Sequence, residues 1–167
     1  NITPSVVSIV ISKVSGSPLH QGPFGFLQPN SGEKQDVGGG TGFFVKKDGT
    51  ILTNKHVVSE KDATYSVILP DGSRHEATVL SIDPVNDLAL VKITVPENFT
   101  VQPVKFGDSD DLQVGQTVLA VGNSLAEYQN SVTKGVVSGI GREIVAGDVD
   151  SQETLNDVIQ TDAAINP

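Results

Sequence analysis

The chain predicts an all-β fold, and three observations carry that reading. Apolar residues recur with period two through most of its 167 residues, and Val, Ile and Thr dominate the alternating runs. Stretches with the 3.6-residue spacing of an amphipathic helix are nearly absent. Two Asp-Gly pairs, Asp48-Gly49 and Asp71-Gly72, sit between alternating runs, where a hairpin needs the positive φ that glycine supplies without strain.

Taken in order, Val6 to Lys13 reads as the first strand. Residues 14–40 read as a long loop, because "VSGSPLHQGPFGFLQPNSGEKQDVGGG" is rich in Gly, Pro, Ser and Gln and exceeds the usual length of a connection. Phe24 and Phe26 are unusual in so polar a segment and mark it as a contact surface. "TGFFVKK" and "TILTNKHV" flank the first Asp-Gly turn, "TYSVILP" and "RHEATVLSID" flank the second, and "DLALVKI" is the sixth strand. Six strands joined by short turns favour a closed barrel, since closure removes unpaired edges. The reading therefore places a first barrel at 1–94, a Pro-containing linker at 95–105 and a second, partial β unit at 106–167. "GQTVLAVGN", "SVTKGVVSGIGRE" and "DVIQTDAAINP" supply only three or four strands there, too few for a second barrel of equal size.

Composition narrows the function. A net charge of −9 with no Lys/Arg cluster argues against a nucleic-acid partner. Glu143, Asp148, Asp150, Glu153, Asp157 and Asp162 follow Arg142 with no further basic residue, and they read as a solvated acidic face. The chain has no cysteine, which excludes disulfides and thiolate chemistry. No apolar run approaches the ~20 residues that span a bilayer, so no membrane contact is expected within the chain. It opens on Asn1 without methionine, and any signal or anchor is expected upstream.

Several residues invite a chemical role and have a simpler one. "GGGTG" resembles a phosphate cradle, but no Gly-Lys-Ser/Thr follows and a strand comes next, so strand entry is the better reading. His20, His56 and His75 lack metal-ligand spacing, and neither metal nor cofactor is expected. "DSDD", Asp108 to Asp111, reads as the cap of a short helical turn. Ser124 in "GNSL" lacks a Gly-x-Ser-x-Gly frame and reads as a loop residue.

His56 alone, after an apolar strand, has an ordinary packing explanation. Asp87, thirty-one positions later, changes the weighing. It precedes a half-buried strand, where a carboxylate is costly unless it accepts hydrogen bonds, and an imidazole N–H is an effective donor. An Asp–His pair of this kind fixes the tautomer of the ring and stabilises the imidazolium formed when His accepts a proton.

Five segments in order, "GGGTGFFVKKDGTILTNKHVV", "NDLALVKI", "VGQTVLAVGN", "VTKGVVSGIGRE" and "VIQTDAAINP", make the chain resemble the HtrA/DegP family of trypsin-like serine proteases from Gly38 onward. The resemblance implies a chymotrypsin/trypsin-like double β-barrel, its first barrel complete and its second incomplete in this chain. It implies His56 as general base and Asp87 as its orienting carboxylate. It also implies that the nucleophile loop begins at Asn166 and Pro167, with the attacking Ser in a Gly-Asn-Ser-Gly-Gly beyond Pro167, so that the 1–167 fragment alone is expected to be inactive. By the same resemblance the substrates are unfolded or misfolded proteins, the assembly a homotrimer or larger, the location periplasmic or otherwise extracytoplasmic, and a PDZ domain follows downstream. The alternative is a non-catalytic, peptide-binding or chaperone-like barrel that has lost the nucleophile.

Overall fold

The computed structural model describes residues 3–14, 20–21, 27–28, 34–124, 128–146 and 153–164. Phe24, Phe26, Asn166 and Pro167 lie outside the described residues. Strands dominate: β1 (Val6–Val14), β2 (His20–Gln21), β3 (Leu27–Gln28), β4 (Lys34–Phe44), β5 (Thr50–Thr53), β6 (Ala63–Ile68), β7 (Arg74–Ile82), β8 (Ala89–Ile93), β9 (Thr117–Ser124), β10 (Tyr128–Ala146) and β11 (Glu153–Thr161). No helix among the described residues is long and apolar enough to cross a membrane.

The expected barrel is present, closed by six antiparallel strands in the order β1-β4-β5-β8-β7-β6. Period-two alternation sends one face of each strand inward. Val7, Ile9 and Ile11 of β1 meet Phe44, Ile51, Val67, Val91 and Ile93 in one core, with Phe44, Ile51, Val67 and Val91 fully buried. Each such side chain contributes roughly 1.5–3 kcal/mol by leaving water. The Asp48-Gly49 turn behaves as its sequence predicts. Gly49 has φ +88°, the Asp48 carboxylate accepts from the Thr50 N–H at 3.1 Å, and Lys92 donates to the same carboxylate at 2.8 Å.

Two strand boundaries differ from the sequence reading. β4 begins at Lys34, ahead of the glycine run, and pairs with β1 as far as Val14↔Lys34, so the segment read as loop ends earlier than residue 40. Its polar start was illegible because Lys34, Gln35 and Asp36 are exposed and show no apolar alternation. Here pairing with β1 decides the structure, reinforced by Arg74, which donates to both Asp36 carboxylate oxygens at 2.8 and 2.9 Å. β5 stops at Thr53, and residues 55–57 form a one-turn 3₁₀ helix, so the histidine does not end a strand.

Residues 95–105 form no regular element, yet they are not a free tether. Phe99 stacks at a tilt on Phe44 with ring centroids 6.0 Å apart, Val101 is buried in the barrel core, and the Val104 N–H donates to the Phe44 carbonyl at 2.9 Å. Beyond them β9, β10 and β11 make a three-stranded antiparallel sheet with β10 in the centre. β9 lies against β1 and β4, which docks the sheet on the barrel. Ser124, read as a loop residue, is the last residue of β9 and pairs with Tyr128 of β10. Asp108 caps a short turn as expected, its carboxylate accepting from the Asp110 N–H at 3.0 Å.

Candidate active site

The short turn Lys55–Val57 carries His56, and its geometry follows from what flanks it. Val57 and Val58 are buried and anchor the turn in the barrel core. Val57 packs on the backbone of β4 at Gly40, where a Cβ would come within 2.5 Å of a Val57 methyl group. The glycine run read as strand entry therefore has a more definite role. It lets the turn bearing the histidine sit directly on the barrel wall.

Asp87 arrives from the opposite direction, on the loop between β7 and β8. That loop is wound around Asp83, whose carboxylate accepts from the N–H groups of Val85 at 2.7 Å and Asn86 at 2.8 Å. The Asp83 N–H in turn donates to the Leu88 carbonyl at 2.9 Å. Since β5 pairs directly with β8, the end of one strand and the start of the other bring His56 and Asp87 together.

The two side chains meet closely. His56 Nδ1 lies 2.7 Å from Asp87 Oδ2, and the His56 backbone N–H donates to Asp87 Oδ1 at 2.9 Å. The Asn54 amide nitrogen donates to Asp87 Oδ2 at 3.0 Å and to the Asp87 carbonyl oxygen at 3.1 Å. Burial pushes the Asp87 carboxyl up, but the backbone N–H and ring of His56 and the Asn54 amide together hold it below the usual carboxylate range. The carboxylate is 15% exposed and the imidazole 72%. One ring nitrogen is thus committed to a shielded anion while the rest of the ring faces outward. An imidazole so held donates from Nδ1 and keeps Nε2 as a base.

Of the other residues singled out in the sequence, His75 makes its contact elsewhere. His75 lies on β7 with Nε2 2.9 Å from the Ser73 hydroxyl. Among the described residues no three His, Asp or Glu side chains group to hold a metal ion. At the other end of the chain, residues 162–164 are fastened along β10. The Thr133 hydroxyl donates to the Ala164 carbonyl at 2.7 Å, and Asp162 Oδ1 accepts from the Val136 N–H at 2.6 Å. Ala163 is buried. Asn54 was missed by the sequence reading, and its one signal was its place two residues before His56.

Comparison with known proteins bears on the family and the fold. A family model described as a trypsin-like peptidase domain matches residues 40–167. The chain is 43% identical over 139 residues to a probable periplasmic serine endoprotease, DegP-like, of Brucella suis, covering 83% of this chain and 25% of that protein. It is 37% identical over 172 residues to the serine protease Do-like HtrA of Bacillus subtilis, covering 100% of this chain and 36% of that protein. The crystal structure of Deg5 superposes with a TM-score of 0.70 at 36% identity, over 98% of this chain and 70% of Deg5. The HtrA-type protease AlgW, solved with a decapeptide, gives a TM-score of 0.73 at 30% identity over 99% of this chain and 50% of AlgW. The chain thus spans about a quarter to two-fifths of the length of the curated relatives it matches.

Proposed function

This chain belongs to the HtrA/DegP family of trypsin-like serine proteases, and on that premise we propose that the protein is a serine endopeptidase in which His56 is the general base and Asp87 the carboxylate that orients it. The observation that carries the reading is the 2.7 Å contact between a shielded carboxylate and Nδ1 of an outward-facing imidazole. In the proposed reaction Nε2 of His56 takes the hydroxyl proton of the attacking serine as its oxygen adds to the scissile carbonyl. The resulting imidazolium is stabilised by Asp87 and returns the proton to the leaving amine. Water then hydrolyses the acyl-enzyme by the same relay.

The attacking serine is assigned to the Gly-Asn-Ser-Gly-Gly that family members carry after the segment matching Asn166 and Pro167. The fastening of residues 162–164 to β10 supports this assignment, because a nucleophile a few residues further on needs a fixed approach. The functional division proposed is a barrel at 1–94, a connector at 95–105 and a second unit from 106, with the site between the two units. Unfolded or misfolded proteins as substrates, trimeric or larger assembly, a downstream PDZ domain and an extracytoplasmic location are proposed on the family likeness. The names of the DegP-like relatives place those proteins in the periplasm.

The test is casein hydrolysis by the full-length protein. His56→Ala should reduce it to background, because a neutral serine hydroxyl without a base is a poor nucleophile. Full activity in that variant would remove His56 from the mechanism.

A further inference from the structure

Asn54 stands at the N-cap of the turn that carries His56, with φ −78° and ψ 146°, the extended conformation of a capping residue. An asparagine in that position ordinarily folds its side-chain oxygen back to accept an N–H two or three residues on. Asn54 makes no such bond. The N–H two residues on belongs to His56, and it is taken instead by Asp87 Oδ1 at 2.9 Å. The carboxylate of a distant loop thus caps the turn, and the local capping side chain is released for another use.

That use is visible in its two contacts. The amide nitrogen of Asn54 spans Asp87, donating to the carbonyl at 3.1 Å and to Oδ2 at 3.0 Å. Oδ2 is also the oxygen that lies 2.7 Å from His56 Nδ1. Two donors therefore share one oxygen, and each weakens the hold of that oxygen on the other.

Resting on the assignment of His56 and Asp87 made above, we infer that Asn54 is a positioning residue that clamps Asp87 by two hydrogen bonds and, by sharing Oδ2 with the imidazole, sets how basic His56 is. The clamp fixes both the carboxylate plane and the loop backbone that bears it. The sharing divides the negative charge of Oδ2 between the ring and the amide. Two further charges lie on the same two elements. Lys55 acts on Asp83, and the Asp83 carboxylate is already engaged by Val85 and Asn86. The direct bonds at Asp87 come from His56 and Asn54 alone among the described residues.

The experiment compares Asn54→Ala and Asn54→Asp in the full-length protein, with thermal denaturation to establish that each folds. Removing the amide leaves Oδ2 to the ring, which favours the imidazolium. The His56 titration by NMR and the acid limb of kcat/KM should both move to higher pH by about one unit in Asn54→Ala, the size of one hydrogen bond to a charged group. The shift should be larger in Asn54→Asp, where a second carboxylate faces the first. At the pH plateau kcat should fall by about tenfold with KM little changed, the scale on which outer partners of a metal-bound histidine act. A folded Asn54→Ala with the wild-type His56 titration would overturn the inference, and so would an activity loss without any pH shift, which would make Asn54 merely structural. The NMR titration needs no turnover. If His56→Ala remains active, the catalytic assignment fails while the coupling of Asn54 to the His56–Asp87 pair is still read independently.

Discussion

The barrel of β1 and β4–β8 and the sheet of β9–β11 are built from the same kind of alternating sequence, yet they use it differently. In the barrel the inward side chains pack into one core, and Phe44, Ile51, Val67 and Val91 are wholly removed from water. In the sheet Val137 is the one large side chain buried to that degree among the described residues, while Leu119 is 63% and Val132 53% exposed. By register Leu119, Val121 and Val132 share one face. Both halves of the proposed base lie on the closed unit, one at the end of β5 and the other at the start of β8, its strand partner. The His56–Asp87 geometry is therefore a property of barrel closure. What the sheet contributes is a fixed course for residues 162–164.

The largest effect expected from breaking this arrangement is kinetic. Asp87→Asn in the full-length protein should keep the fold and lower kcat by about 10⁴-fold, because an amide imposes the wrong imidazole tautomer. At about 1.4 kcal/mol per decade this is roughly 5 kcal/mol of barrier. A loss under tenfold, read by steady-state hydrolysis, would make Asp87 a structural cap of the 55–57 turn and nothing more. Next in size is a change to the closed core itself. Phe44→Ala removes a fully buried ring that also supports Phe99 of the connector, and denaturant unfolding should show a loss of about 3–5 kcal/mol. A loss below about 1 kcal/mol would mean the barrel is looser than its burial indicates.

Much of this was legible in the chain. Asp48-Gly49 and Asp71-Gly72 announced their hairpins because both glycines need positive φ, and both have it, at +88° and +84°. The pairing of His56 with Asp87 was legible because a half-buried carboxylate before an apolar strand needs donors. What escaped was whatever depends on a partner distant in sequence. Lys34 to Asp36 gave no strand signal, since pairing with β1 and the Arg74–Asp36 bridge make the strand. Asn54 looked like an ordinary polar residue in "TNKHVV", because only the fold shows that Asp87 takes over its capping role. Gly40 looked like a strand-entry glycine, since its neighbour Val57 lies beyond a turn and another strand.

The smallest expected effect lies on the exposed face of the sheet. Among the described side chains of the sheet Leu119 is the most exposed large apolar one, and it stands beside Lys134 on β10. Replacing a side chain already in water neither opens a cavity nor strands a polar group, so Leu119→Ser in the 167-residue chain should change unfolding free energy by no more than about 0.5 kcal/mol. The same substitution in the full-length protein reads whether another element covers this face. Burial of a leucine is worth roughly 1.5–3 kcal/mol, so a covered Leu119 would register as a loss of that order. A small loss in the short chain with a large one in the long chain would show that the sheet is completed by further structure, as the barrel is completed by its own six strands. A large loss in the short chain would mean that Leu119 is already packed, and the contrast between a closed and an open unit would fail at the residue on which it most depends.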